Sequence, residues 1–183
     1  MLTHRGKSAS VILLLVWLSG TLAQDPVAAG YETPLASVTA LHEGLIAAGR
    51  DERASVHQRY QLLAPIVSAT HDIPFIAQFA TRRYWGDFNS EQREVFVEQF
   101  SRLSSMTYAA RFVSVSTDTF HIEKTEELTS GRAQVMATIR RDAQPDIPIE
   151  YLLHETPTGW KIINVIADGV SDLALKRAEY RAV

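Results

Sequence analysis

The spacing of apolar residues changes period once along this chain, near residue 117, and that switch restricts the fold more than any motif. Before it, apolar side chains recur every three or four positions. After it, they alternate with polar ones. A chain that places its helices first and its strands second forms an α+β domain, with helices packed on one face of an antiparallel sheet.

The first half contains four helical stripes. Val38, Leu41 and Leu45, with Ile46 beside them, run to Gly49. Val56, Tyr60 and Leu63 form the next stripe, and Ile66 and Val67 continue it past Pro65. Asp72-Ile73-Pro74 starts a third helix: the carboxylate caps free amides, and the proline sits where its missing N–H costs nothing. Phe75, Ile76 and Phe79 are its apolar face, and Gly86 breaks the segment. Asn89-Ser90-Glu91-Gln92 is another capped start, followed by Phe96, Phe100, Leu103 and Tyr108 at helical spacing.

The second half predicts about four antiparallel strands. Phe120 and Ile122 mark the first; Val135, Ala137 and Ile139 the second; Ile147, Ile149, Tyr151 and Leu153 the third. Turns at Ser130-Gly131, Gln144-Pro145-Asp146 and Pro157-Thr158-Gly159 separate them. The fourth, Trp160 to Ile166, is apolar on both faces, so it needs apolar neighbours on each side, and in a small domain one of them can be a ligand. Asp168-Gly169 then leads into a short charged helix.

The first residues stand apart from this domain. His4, Arg5 and Lys7 precede an unbroken apolar run, Val11 to Leu18, and small residues follow at Thr21-Leu22-Ala23. That order reads as a secretory leader, residues 1–23, cut before Gln24. The run is shorter than the roughly 20 residues a permanent span requires. With no cysteine in the chain, lipoprotein modification is excluded. The expectation is an exported domain, soluble outside the cytoplasm, over residues 24–183, held by its core without disulfides. Removing the leader leaves 16 basic against 21 acidic side chains, a net charge of −5. That balance argues against nucleic acid and anionic surfaces as partners.

Catalytic signatures start and fail. Gly169-Val170-Ser171 opens like a nucleophile elbow, but Leu173 occupies the position of its second glycine. Ser171 reads instead as a helix cap. His42-Glu43 opens like a zinc-protease helix, but Ile46 replaces the second histidine. His57, His71, His121 and His154 are scattered, so acid–base work requires folding to bring one beside a carboxylate. Arg82-Arg83-Tyr84-Trp85 is the single basic-aromatic cluster: a helix end whose cations offset the dipole, or a contact for phosphate or a nucleic-acid strand. No cofactor or metal is expected.

Apolar and aromatic side chains remain in large supply on both layers. The helices offer Phe75, Phe79, Tyr84, Trp85, Phe96, Phe100, Leu103, Tyr108 and Phe112. The sheet offers Phe120, Ile122, Val135, Ile139, Ile149, Tyr151, Leu153, Trp160, Ile162 and Val165. Periodicity alone makes these core.

The segment Arg59 to Leu103 resembles the helical half of the MlaC-type, or toluene-tolerance, family of periplasmic lipid carriers. The shared features are a Tyr-x-x-Leu-x-Pro run from Tyr60, the Thr70-His71-Asp72 helix start and the Tyr84-Trp85 corner. The Asn89 to Phe100 stripe and Tyr108-Ala109 follow in the family's order. So do Gly159-Trp160-Lys161-Ile162 and Gly169-Val170-Ser171. The closing stretch, Asp172 to Tyr180, departs from the main pattern and is similar to the hopanoid-associated branch, HpnM.

The resemblance implies a cone-shaped domain like the nuclear-transport-factor fold, with acyl chains between helices and curved sheet. The aromatic and aliphatic residues above become candidate pocket lining, and Arg82 and Arg83 candidate head-group contacts. It also implies a phospholipid or hopanoid-type cargo, an inner-membrane ABC transporter and a membrane-bound donor or acceptor. The competing expectations are a small hydrolase, isomerase or dehydratase with a histidine–carboxylate pair in the same pocket, and an assembly factor with an exposed apolar patch.

Overall fold

The computed structural model describes residues 30–114, 119–129, 131–141 and 143–181. The leader expected at residues 1–23, the segment up to residue 29 and the turn residue Ser130 lie outside the described residues. Helices α1 (Pro34–Gly49), α2 (Val56–Thr70), α3 (Ile73–Ala80) and α4 (Ser90–Arg111) come first. Strands β1 (Phe120–Thr129), β2 (Arg132–Ile139), β3 (Ile147–Thr156) and β4 (Gly159–Ala167) follow, then β5 (Val170–Ser171) and α5 (Asp172–Glu179). The five strands form one sheet in chain order, every neighbouring pair antiparallel. The architecture is the α+β arrangement that the period switch predicts.

Each helix starts where a side chain meets the free amides of its first turn. Thr33, Ser55, Asp72, Asn89 and Ser171 accept from the N–H groups of Ala36, Gln58, Phe75, Gln92 and Ala174. At Ser55 and Asn89 the glutamine three residues on returns to the cap backbone and completes a capping box. α1 starts before its apolar stripe because Pro34, with φ preset, follows the Thr33 cap directly. α2 continues through Pro65 to Thr70.

The sheet has one strand more than expected. Asp168 and Gly169 both have positive φ, 49° and 75°, the geometry of a tight hairpin turn whose twist suits antiparallel strands. It turns the chain back so that Val170 and Ser171 pair with Ala167 and Ile166.

β4 also explains its own two-sided apolar pattern. Ile162 pairs with Leu153, Val165 with Tyr151 and Ala167 with Ile149, with a register shift opposite Leu152/Leu153. Ile163 is the extra residue of that bulge, and it changes the parity of the strand. Even-numbered Trp160 and Ile162 therefore share a face with odd-numbered Val165 and Ala167. The strand is less two-faced than its alternation implies: most of its apolar side chains reach the helical side.

The free edge of β4 is covered by backbone. Trp160 N–H donates to Tyr31 O at 2.8 Å, and Asp72 N–H donates to Ile162 O at 2.9 Å. The first contact needs glycine at the turn. Gly159 has φ 113°, and a Cβ there would lie 2.7 Å from Gly30 C and Tyr31 O.

The core lies between α1, α2 and the inner face of the sheet. Val38, Leu41 and Leu45 pack with Leu63 and Val67 over Val135, Tyr151, Leu153 and Ile162. One cation is buried with them. Arg59 is 5% exposed; its Nε donates to Ala109 O at 2.7 Å and its Nη1 to Ala54 O. Ala109 belongs to the last turn of α4, where the carbonyls carry the negative end of the helix dipole. Arg59→Met keeps the apolar stem and leaves both carbonyls without a donor. It is expected to cost about 2–4 kcal/mol, read as a lower urea midpoint at unchanged m-value.

No helix among the described residues is long and apolar enough to cross a membrane.

Candidate functional site

A cleft of about 260 Å³ opens between α3, the second half of α4, α5 and the inner face of β3 and β4. Ile149, Tyr151, Val165 and Ala167 bring the inner face of the strands to it, and Ile163 joins them at the bulge. α3 adds Ile73 and Ile76. α4 presents Ser104, Thr107, Tyr108 and Arg111, spaced three, four and seven residues from the first and therefore on one face. α5 closes the outer side with Leu173, Leu175 and Lys176. At the mouth Lys176 forms an ion pair with Asp172 at 2.9 Å, and Arg111 stands exposed on the rim.

The polar groups of the inner wall are satisfied within the protein. His71 is buried and both of its ring nitrogens are engaged: Nδ1 with Thr70 Oγ1 at 2.9 Å, Nε2 with Tyr108 Oη at 3.0 Å. His42 Nε2 shares a hydrogen bond with Tyr151 Oη at 2.8 Å, and its ring stacks on Phe120. Burial pushes both phenols, Tyr108 and Tyr151, above the usual tyrosine range. Burial also lowers both His42 and His71 to about 4, so both imidazoles are neutral at neutral pH.

A pH dependence of stability follows. Unfolded histidines take up protons near pH 6.5, whereas the folded ones resist until about pH 4. Below pH 6.5 the unfolded chain binds more protons, so stability is full above that value and falls as pH drops toward 4. Urea midpoints measured at pH 7.5, 6, 5 and 4.5 are expected to fall in that order, and His42→Gln is expected to flatten the slope.

The structure divides the expected lining residues into groups. Tyr108, Phe112, Ile139, Ile149, Tyr151 and Val165 line the cleft. Val135, Leu153 and Ile162 are in the core, with Ile122 and Phe120 packed half-buried against it. Trp160 lies under the Tyr31 crossing. Phe75 packs between the rings of His154 and Phe79, with Arg132 over it. Arg177 covers Phe79. Trp85, Phe96 and Phe100 form an aromatic cluster with Phe88 and Tyr180 that joins the α3–α4 connection, α4 and the end of α5. Leu103 is 57% exposed. Arg82, Arg83 and Tyr84 border a separate concavity with Arg177 and Arg181, at the far ends of α3 and α5 from the cleft.

Several cleft residues escape an apolar-stripe reading. The strongest stripe on α4 is Phe96-Phe100-Leu103, but the neighbouring face, Ser104-Thr107-Tyr108-Arg111, meets the cleft. Small and polar residues at helical spacing beside a half-buried tyrosine were the available signal. The two residue types that acid–base chemistry asks for, His71 and Asp172, do share this cleft. Asp172 is committed to Lys176, and His71 has no nitrogen left for a ligand. Ser171, the failed elbow, caps α5 and donates to Asn164 Oδ1 at 3.1 Å.

A solved structure of the phospholipid-binding protein from Ralstonia solanacearum, in complex with a phospholipid, is similar to this chain. It superposes with a TM-score of 0.71 at 20% identity, over 81% of this chain and 85% of that one, a likeness that shows the fold. No curated protein matches the sequence. The model of the MlaC protein family matches residues 40–183, well over half of the sequence, and the chain belongs to that family.

Proposed function

We propose that this protein is a periplasmic lipid shuttle: exported by its leader, released at Gln24, and carrying a lipid between membranes as the soluble component of an ABC-type transport system. The observation that carries the reading is the cleft. It is lined mainly by aliphatic and aromatic side chains, it opens to solvent, and it lies in a chain of the MlaC family. The Ralstonia protein of the same fold holds a phospholipid.

The energetics favour such a carrier. Each methylene kept from water is worth about 0.8 kcal/mol. A chain of roughly 16 carbons meets on the order of 12 kcal/mol in crossing water unshielded. A dry slot removes most of that barrier. At about 260 Å³ the cleft is just below the range that small-molecule ligands fill. A two-chain phospholipid or a fused-ring hopanoid therefore needs it to widen. α5 has no buried residue and forms the outer wall, so it is the element whose displacement enlarges the cleft. The tail similarity to the hopanoid-associated branch lies in this same helix.

An enzymatic role is not our reading, because the histidine of the cleft is committed to internal partners. The test is transfer. Mature protein mixed with donor vesicles carrying a pyrene-labelled phospholipid and with unlabelled acceptors should speed label exchange in proportion to protein concentration. Exchange at the protein-free rate, from well-folded protein, would contradict the proposal.

A further inference from the structure

The hydrogen bonds around His71 fix the direction in which Tyr108 is used. Thr70 Oγ1 donates to Ile66 O at 2.8 Å, because a carbonyl oxygen only accepts. A hydroxyl has one hydrogen, so Thr70 Oγ1 accepts from His71, and the ring proton sits on Nδ1. Burial keeps the imidazole neutral, so Nε2 carries no hydrogen and accepts from Tyr108 Oη. The chain of bonds runs from Tyr108 to His71 to Thr70 to Ile66, in that direction only.

Tyr108 has therefore spent its only hydrogen on the protein. What its oxygen still offers is accepting capacity. His71 and Tyr108 both line the cleft, amid Ile73, Ile76, Ile149 and Val165. A ligand that supplies a donor there gains a hydrogen bond, and one that presents only an acceptor gains none.

We infer that the cleft takes a hydrogen-bond donor of its cargo against Tyr108, which makes the cargo a lipid with a hydroxyl group set within its apolar body. This rests on the lipid reading above and narrows it. A hydroxyl donates to the phenol oxygen. An ether or ketone at the same place presents a second acceptor and is rejected.

Stearates substituted at mid-chain with hydroxyl, methoxy or oxo groups test this by calorimetry or by displacement of a fluorescent fatty acid. Wild-type protein is expected to bind hydroxystearate about fivefold to tenfold more tightly than methoxystearate or oxostearate, the worth of one net hydrogen bond. Tyr108→Phe withdraws the acceptor to His71 Nε2, deeper in the wall, so the preference for hydroxystearate should shrink while affinity for methoxystearate is retained. Thr70→Val removes the acceptor at Nδ1 and shifts the ring proton to Nε2. His71 then donates to Tyr108, whose hydrogen turns to the cleft, and oxostearate gains on methoxystearate. Equal binding of all three stearates by the wild type would overturn the inference and leave the lipid reading standing. An unchanged ratio in Thr70→Val would overturn the relay, and the inference with it. Binding of none of them would overturn the inference, whereas failure of phospholipid transfer between vesicles, measured on the same preparation, would remove the lipid reading itself.

Discussion

Ala167→Trp is expected to abolish lipid binding and lipid transfer while the protein still melts within a few degrees of the wild type. Ala167 is half-buried near the end of β4, on the face that meets the cleft, paired with Ile149 on one side and Val170 on the other. An indole at this position projects into space that no other side chain fills. Overpacking a filled core costs typically 1–3 kcal/mol, but a side chain directed into an open cleft displaces solvent or ligand instead. Thermal melts and organic extraction on the same preparation separate the two effects. A variant that still carries a full complement of lipid would place the binding site elsewhere.

The second large effect is on folding. Val135→Asp is expected to prevent accumulation of folded protein. Val135 is fully buried in β2, opposite Tyr151 and beneath α1 and α2. A carboxylate there has no cation and no water, and it costs several kcal/mol or forces protonation. That is a large share of the roughly 5–15 kcal/mol that holds a domain together. Ile149→Asp is expected to behave differently, although Ile149 faces the same side of the neighbouring strand. It is buried but borders the cleft, so a carboxylate there turns toward the open mouth and costs less than one at Val135; the domain folds, but the slot no longer retains an acyl chain. Soluble yield and circular dichroism of the two variants, side by side, measure the difference between core and cleft.

That difference was not legible in the sequence. Both residues lie on alternating strands, and alternation reports which face a side chain takes, not what covers that face. The covering is decided by α1 and α2 over Val135 and by the gap between α4 and α5 over Ile149. Helix starts were legible because capping is local: Asp72 and Asn89 bind amides three residues away. The strands and their turns were legible for the same reason. The parity change in β4 was not, because a bulge shows only against its partner strand. The aromatic residues were legible as a set and not as two groups. Trp85, Phe96 and Phe100 pack together with Tyr180 from the far end of the chain, a contact no spacing rule predicts. The orientation of Tyr108 depends on three hydrogen bonds in series, and its only trace in the sequence is the pair Thr70-His71.

We propose that the cleft between α4, α5 and the sheet holds lipid. The most direct measurement is native mass spectrometry of the mature protein purified from its host without detergent, with the bound species released and identified. The expected spectrum shows a discrete mass increment of one lipid per chain, lost in Ala167→Trp. Well-folded wild-type protein that carries no lipid, and takes none up from vesicles, would contradict it.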